Sequence, residues 1–383
     1  MVRSQTAALG LAALLAAALP AAEAASDPPP VYTVAPGWPR ELPNNWTLGQ
    51  VGGMAIDRHD HVWVLQRPLS ATEDELGAER VPPRNDCCVK APAVLEFDRE
   101  GKVLRSWGGA GFVPDWPTSE HAIWVDASDN VWISGAGVDD RQVIKFSADG
   151  RELLEIGRKS RQAKDNQDTS LLGRAAGLEV DDAAHELYVA DGYLNNRIVV
   201  FDSDTGAFKR GWGAYGIPLS EIPNLVEHIE ADVPAAGAIA PYTPGGSPEK
   251  QFRSPVHCVR LSLDGLVYVC DRHNDRIQVF TRAGRFVREF AVRPATLGNG
   301  STWTLTFSHD KAQKFLLVVD GENNVIWIVR RGDGVIVAHI GHSGRNAGQF
   351  HWVHQAVMDS RGDLYTGEVE TGKRLQKFVL GTR

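Results

Sequence analysis

Three histidines, each opening a short apolar segment, carry the clearest chemical signal in this chain: His121 in "EHAIWVDASDNVWISG", His257 in "VHCVRLSLDGLVYVCD" and His354 in "VHQAVMDSRGDLYTGEV". Neutral imidazole is a common ligand of zinc, and three imidazoles leave coordination positions open for water or substrate. Other reactive types close neighbouring segments: Arg67 in "VWVLQR", Tyr193 in "YVADGY" and Arg272 in "YVCDR". Arginine grips a carboxylate through two parallel hydrogen bonds. A tyrosine beside a divalent cation can act as a base. These types predict a metal centre working on a small anionic substrate, provided that residues far apart in the chain meet in space.

An internal repeat says how they would meet. The segments "AVLEFD", "QVIKFS", "RIVVFD", "RIQVFT", "VIWIVR" and "RLQKFV" place Phe97, Phe146, Phe201, Phe280, Val329 and Phe378 at equivalent positions, at intervals of 49, 55, 79, 49 and 49 residues. Within each period, alternating β-branched and aromatic residues are punctuated by D-G, S-D-N and S-R-G turns, which are hairpin signals. Four short antiparallel strands recurring at this period form one propeller blade. Six units predict an all-β, six-bladed β-propeller, and the motifs "DGYLNNRIVVF" and "DRHNDRIQVF" resemble NHL-type repeats. The last unit lacks a fourth strand, and "VYTVAPGWP" near the N-terminus is the spare strand predicted to close it, which would remove an exposed edge.

Aligning the first strand of each blade gives one column: Gly52, His121, Ala176, His257, Trp303 and His354. Its histidines fall in blades two, four and six. First strands line the central channel, so alternate blades of a six-fold ring place three imidazoles about one axis at one height. Second strands end beside the starts of first strands, which brings Arg67, Tyr193 and Arg272 to the same face. Asp191, Asp271, Asp320 and Glu368 share that position; the three aspartates recur with the repeat and read first as turn caps. His59, His61 and His309 lie in or beside turns and His339 in an outer strand, so they read as surface groups. His351 reads as a possible outer-shell group behind His354.

The remaining features bound the class. The chain has 383 residues and a formal net charge of -8. No basic tract interleaved with aromatics is present, so nucleic acid is not an expected partner. Residues 1–25 read as a secretory signal peptide, with Arg3, an apolar run from Ala7 to Leu19 and a small-residue "AEA" cleavage site. No later stretch is long and apolar enough to span a membrane. The expected location is therefore periplasmic or secreted, with residues 26–383 forming the propeller and insertions at about 68–92 and 213–250. Cys258 and Cys270 flank a hairpin and can pair across it; Cys87 and Cys88 are adjacent, with a vicinal disulfide, separate thiols and longer-range pairing all open.

The motifs "LGQVGGMAIDRHDHVWVLQR", "EHAIWVD", "VADGYLNNRIVVF" and "PVHCVRLSLDGLVYVCDRHNDRIQVF" resemble the peptidyl-α-hydroxyglycine α-amidating lyase family. The resemblance covers nearly all of the chain after the signal peptide and is strongest in blades one to four. It implies cleavage of a C-terminal α-hydroxyglycine to an amide and glyoxylate at a zinc ion held by His121, His257 and His354. It further implies Tyr193 as the base and roles for Arg67 and Arg272 on the substrate carboxylate and hydroxyl. Several positions depart from the family. Leu194, Tyr268 and Val279 replace half-cystines. Gln355 replaces an aspartate that helps hold a structural calcium, whose other ligands are carbonyls falling on Met54 and Ile123. Trp352 replaces a methionine two residues before the third histidine.

Two other functions fit the same fold. A non-catalytic NHL propeller would bind a protein or glycan partner in the cell envelope through its long insertions. A lactonase-like hydrolase would use a carboxylate-and-asparagine calcium site, whereas this channel column offers histidines.

Overall fold

In the computed structural model, residues 27–225, 242–246 and 249–381 are described. The expected signal peptide and the middle of the second insertion lie outside them. Six four-stranded antiparallel sheets follow one another along the chain. Their first strands are Gln50–Ile56, Glu120–Val125, Ala175–Asp181, Val256–Leu261, Thr304–Phe307 and Val353–Met358. Each first strand packs against the next, and the sixth returns to the first, so the six form a closed ring around the axis. Tyr32–Val34 pairs antiparallel with Leu375–Leu380, supplying the fourth strand of blade six. No helix among the described residues is long and apolar enough to cross a membrane.

The repeat is a packing rule. Phe97, Phe146, Phe201, Phe280, Val329 and Phe378 are all buried, and with them the aromatics Trp63, Trp132, Tyr188, Tyr268 and Tyr365 of the second strands. Burying a side chain of this size stabilises by about 1.5–3 kcal/mol, so one such set per blade accounts for much of each inter-blade contact. Both sequence-adjacent and hairpin cysteines are paired, as Cys87–Cys88 and Cys258–Cys270. Cys258 and Cys270 are direct cross-strand partners in blade four.

The start of each first strand carries a feature absent from a plain alternating pattern. In blades one, two, three, four and six the ladder skips one residue there: Gly52, His121, Ala176, His257 and His354. Such an extra residue bends the strand and re-aims its side chain. The histidines are therefore turned toward the axis by bulges. In blade five Trp303 stands just before the first ladder pair.

The insertion after Arg67 and the one after Trp212 both rise from the face where first strands begin. Turns at the opposite face are short, such as 57–61, 126–130 and 359–363. The described ends of both insertions thus lie at the histidine end of the channel.

Candidate metal centre

The bulges bring His121, His257 and His354 together, fully buried, with their ligand nitrogens within 4.8 Å of one another. Ring centroids lie 5.0, 4.9 and 5.1 Å apart, and each ring pair is within a few degrees of perpendicular. The three imidazoles are thus arranged as a near-regular three-bladed rotor.

One device orients His121 and His257. His121 Nδ1 donates to the Ala176 carbonyl at 2.9 Å, and His257 Nδ1 donates to the Trp303 carbonyl. His354 faces the backbone of Val51 and Gly52, which favours its protonated form, and Gln355 Nε2 lies 3.4 Å from its Nδ1. Ala176, Trp303 and Gly52 are the column residues of the following blades, so each even blade sets its histidine against the next odd one. With the proton held on Nδ1, His121 and His257 each present an Nε2 lone pair to the axis. Burial is the main force holding all three well below the usual imidazole range. The charges of Arg67 and Arg272 reinforce it at His354, as does Arg272 at His257 and the neighbouring His354 and Arg67 at His121. The neutral form is the ligating form.

Tyr193 completes the centre. Its hydroxyl lies 2.9 Å from His121 Nε2 and 3.1 Å from His257 Nε2. A phenol has one proton, so it can donate to only one of these lone pairs. The centre therefore holds more lone pairs than donors, an excess that a divalent cation would satisfy. Three buried neutral imidazoles, two of them with anchored Nδ1 atoms, suit such an ion. Gly192, just before Tyr193, is required for this approach: a Cβ there would lie 2.0 Å from the Val256 carbonyl oxygen, beside His257.

Arg67 and Arg272 come from blades one and four, on opposite sides of the axis. Arg67 Nε donates to the Glu120 carbonyl at 2.7 Å and Nη1 to Gln50 Oε1 at 2.7 Å. Arg272 Nε donates to the Asn299 carbonyl at 2.6 Å and Nη1 reaches the Tyr193 hydroxyl at 3.4 Å. Its guanidinium lies 4.0 Å from the centre of the Trp303 ring. Each arginine is thus anchored through Nε and keeps terminal N–H groups near the histidines.

The aspartates that share the rim serve the fold. Asp191 accepts from Gly173 N–H, Asn195 and Arg197. Asp271 accepts from Arg253 N–H, Asn274 and Arg276. Asp320 accepts from Asn323 and Trp327. Glu368 pairs with Arg374. His351 is not behind His354; its Nε2 lies 2.7 Å from Thr371 Oγ1. His61 is not a simple surface group, since its Nδ1 lies 2.8 Å from Glu96 and 3.4 Å from Asp57. That second cluster is already balanced by Arg105, 3.2 Å from Glu96.

At the calcium position implied by the resemblance, the residues do not fit. Gln355 Nε2 donates to the Gly52 carbonyl at 3.2 Å and lies 3.4 Å from His354 Nδ1. Calcium sites are built on carboxylates, and this neutral amide, occupied with the Gly52 carbonyl, supplies no anionic oxygen there.

Comparison with known proteins adds a family likeness. No protein-family model matches the chain. It is 28% identical over 261 residues to the peptidyl-glycine alpha-amidating monooxygenase B of Xenopus laevis, covering 64% of this chain and 24% of that protein. It is 24% identical over 238 residues to a probable peptidyl-alpha-hydroxyglycine alpha-amidating lyase of Caenorhabditis elegans, covering 61% of this chain and 56% of that protein. The chain is a six-bladed propeller that resembles the α-amidating lyases and NHL repeat-containing proteins. It spans about a quarter of the length of the Xenopus enzymes it matches. Among solved structures, a catalytically inactive virginiamycin B lyase from Staphylococcus aureus superposes with a TM-score of 0.50 at 14% identity, covering 91% of this chain and 88% of that one. That likeness is one of fold.

Proposed function

We propose that this protein is a secreted zinc-dependent lyase that cleaves the C–N bond of an α-hydroxyglycine-like substrate, giving an amide and glyoxylate. The observation that carries the reading is the Tyr193 hydroxyl seated between Nε2 of His121 and Nε2 of His257. His121, His257 and His354 would hold the metal, which when bound supplies a Lewis acid for charge developing on substrate oxygen.

The chain's own residues do the rest. Arg67 and Arg272 converge from opposite blades and bind the substrate carboxylate and hydroxyl. Tyr193 takes the hydroxyl proton. As the carbon–oxygen double bond forms, the C–N bond breaks and its electron pair leaves with nitrogen. The proton removed from oxygen ends on that nitrogen, so the products together contain every atom of the substrate. The ring of first strands walls the site, and the insertion after Arg67 leaves from its histidine end. The lactonase-like alternative lacks support in this donor set, which is imidazole rather than carboxylate.

The test is direct. The zinc-loaded protein should release glyoxylate from a peptide ending in α-hydroxyglycine, with the peptide amide formed in equal amount. Absence of both products at any pH between 5 and 9 would reject the lyase reading.

A further inference from the structure

Arg272 is a buried guanidinium that forms no ion pair among the described residues. A carboxylate seated on its fork would compete with any anion that binds there. An arginine kept open for a ligand has to be held in place by neutral groups, and those groups need an anchor of their own.

One loop does the holding. The Asn299 carbonyl accepts from Arg272 Nε at 2.6 Å, and the next carbonyl, that of Gly300, accepts from Trp303 Nε1 at 2.7 Å. The Trp303 ring in turn carries the guanidinium at 4.0 Å, so consecutive carbonyls fix Arg272 twice. The loop reads Leu297, Gly298, Asn299, Gly300, with φ of 64° and 70° at its two glycines. A Cβ on Gly300 would lie 2.0 Å from the Arg272 carbonyl oxygen, so that position requires glycine. A stretch this rich in glycine has little stiffness of its own.

The anchor is Glu322, in the turn 321–324 of blade five. Its Oε2 accepts from the Asn299 N–H at 3.0 Å and from Asn299 Nδ2 at 2.9 Å. Beside it, Asn323 Nδ2 donates to Thr296 Oγ1 at 3.1 Å and ties the same turn to the start of the loop. Glu322 is half-buried and forms no ion pair among the described residues. Asp191, Asp271 and Asp320 each cap their own blade, whereas this carboxylate reaches the loop that aims an arginine of the metal centre.

We propose that Glu322 is a positioning residue that, through Asn299, fixes the loop aiming Arg272 at the anionic end of the substrate. The proposal rests on the anionic-substrate reading above and adds the group that sets that arginine. Losing a carboxylate that accepts two hydrogen bonds is worth on the order of tenfold in affinity for the anion.

N-acetylglycine, which has the carboxylate but no hydroxyl to react, is titrated by calorimetry into the zinc-loaded protein. Glu322→Ala is expected to bind it about tenfold more weakly than wild type, and Glu322→Gln, which keeps an acceptor oxygen for Asn299, to stay within about threefold. In an Arg272→Lys background, which keeps a charge but lacks the Nε bond to Asn299, adding Glu322→Ala should cost less than about twofold. A purely structural role would cost as much in that background as in wild type. Asn299→Ala removes one of the two bonds to Glu322 and leaves the carbonyl that holds Arg272; its expected cost of about threefold serves where Glu322→Ala folds poorly. No binding by the wild type, unchanged binding in Glu322→Ala or Asn299→Ala, or an equal loss with and without Arg272 would overturn the proposal. A tenfold loss that depends on Arg272, without glyoxylate release from hydroxylated peptides, would keep the positioning role and reject the lyase; glyoxylate release with unchanged binding in Glu322→Ala would do the reverse.

Discussion

The hydroxyl of Tyr193 lies 2.9 Å from Nε2 of His121, although the two residues belong to different blades. The contact exists because a bulge turns His121 inward and because Gly192 lets Tyr193 approach the strand that carries His257. It makes the tyrosine part of the metal centre rather than a residue of the rim.

Tyr193→Phe removes one oxygen and little packing. Loss of a positioned proton acceptor costs on the order of 10²- to 10⁴-fold in rate. The variant is expected to lose that much glyoxylate-forming activity while keeping wild-type zinc content and melting temperature. Activity within threefold of wild type would remove Tyr193 from the proton path.

The two arginines should separate kinetically. Arg67 touches Gln50 and the Glu120 carbonyl but not the tyrosine, so Arg67→Ala should raise KM by about 10- to 100-fold, the loss of a charge-assisted hydrogen bond, and change kcat less. Arg272 also reaches the Tyr193 hydroxyl, so Arg272→Ala should lower kcat as well. Identical effects on both constants in the two variants would contradict this division.

How legible the site was in sequence depended on periodicity. The fifty-residue repeat located the column holding His121, His257 and His354, because a side chain's place in a propeller follows from its place in the period. The fate of Asp191, Asp271 and Asp320 was legible for the same reason: a group recurring in three successive blades meets a need of the blade itself. His61 and His351 were misjudged because their partners, Glu96 and Thr371, come from strands and loops with no fixed offset. The anchoring of His121 and His257 through Nδ1 on the next blade was also hidden, since a backbone carbonyl leaves no residue type to read. Trp303 stood in the column, yet its load, Arg272 on its ring and His257 on its carbonyl, needs three-dimensional placement to appear.

Gly192 offers a structural check. A methyl group there would collide with the Val256 backbone, which must shift and carry His257 with it. Gly192→Ala is expected to destabilise the fold by about 1–3 kcal/mol and to weaken zinc retention. Measured by denaturant unfolding, a change under 0.5 kcal/mol would show that the strands are less tightly apposed.

Asp275 sets a pH dependence. Burial pushes its carboxyl up to about 7, and its Oδ2 has no hydrogen-bond partner among the described residues. The unfolded chain has this group near 3.9. Between about pH 4 and 7 the folded state binds the extra proton, so the group's contribution to stability falls as pH rises through that window. The buried histidines act oppositely below about pH 6.5, so the comparison must be between proteins. Asp275→Asn should gain stability relative to wild type as pH rises from 5 to 8, read from melting temperatures. A constant difference across that range would mean that Asp275 stays charged.

The central claim is that His121, His257 and His354 form one zinc site. Elemental mass spectrometry of the purified protein, prepared without added metal and then offered zinc, tests it most directly. The expected result is about one zinc per chain, lost in His257→Ala while the fold is retained. No bound metal under either condition would contradict the claim and leave the three histidines as structural groups of the channel.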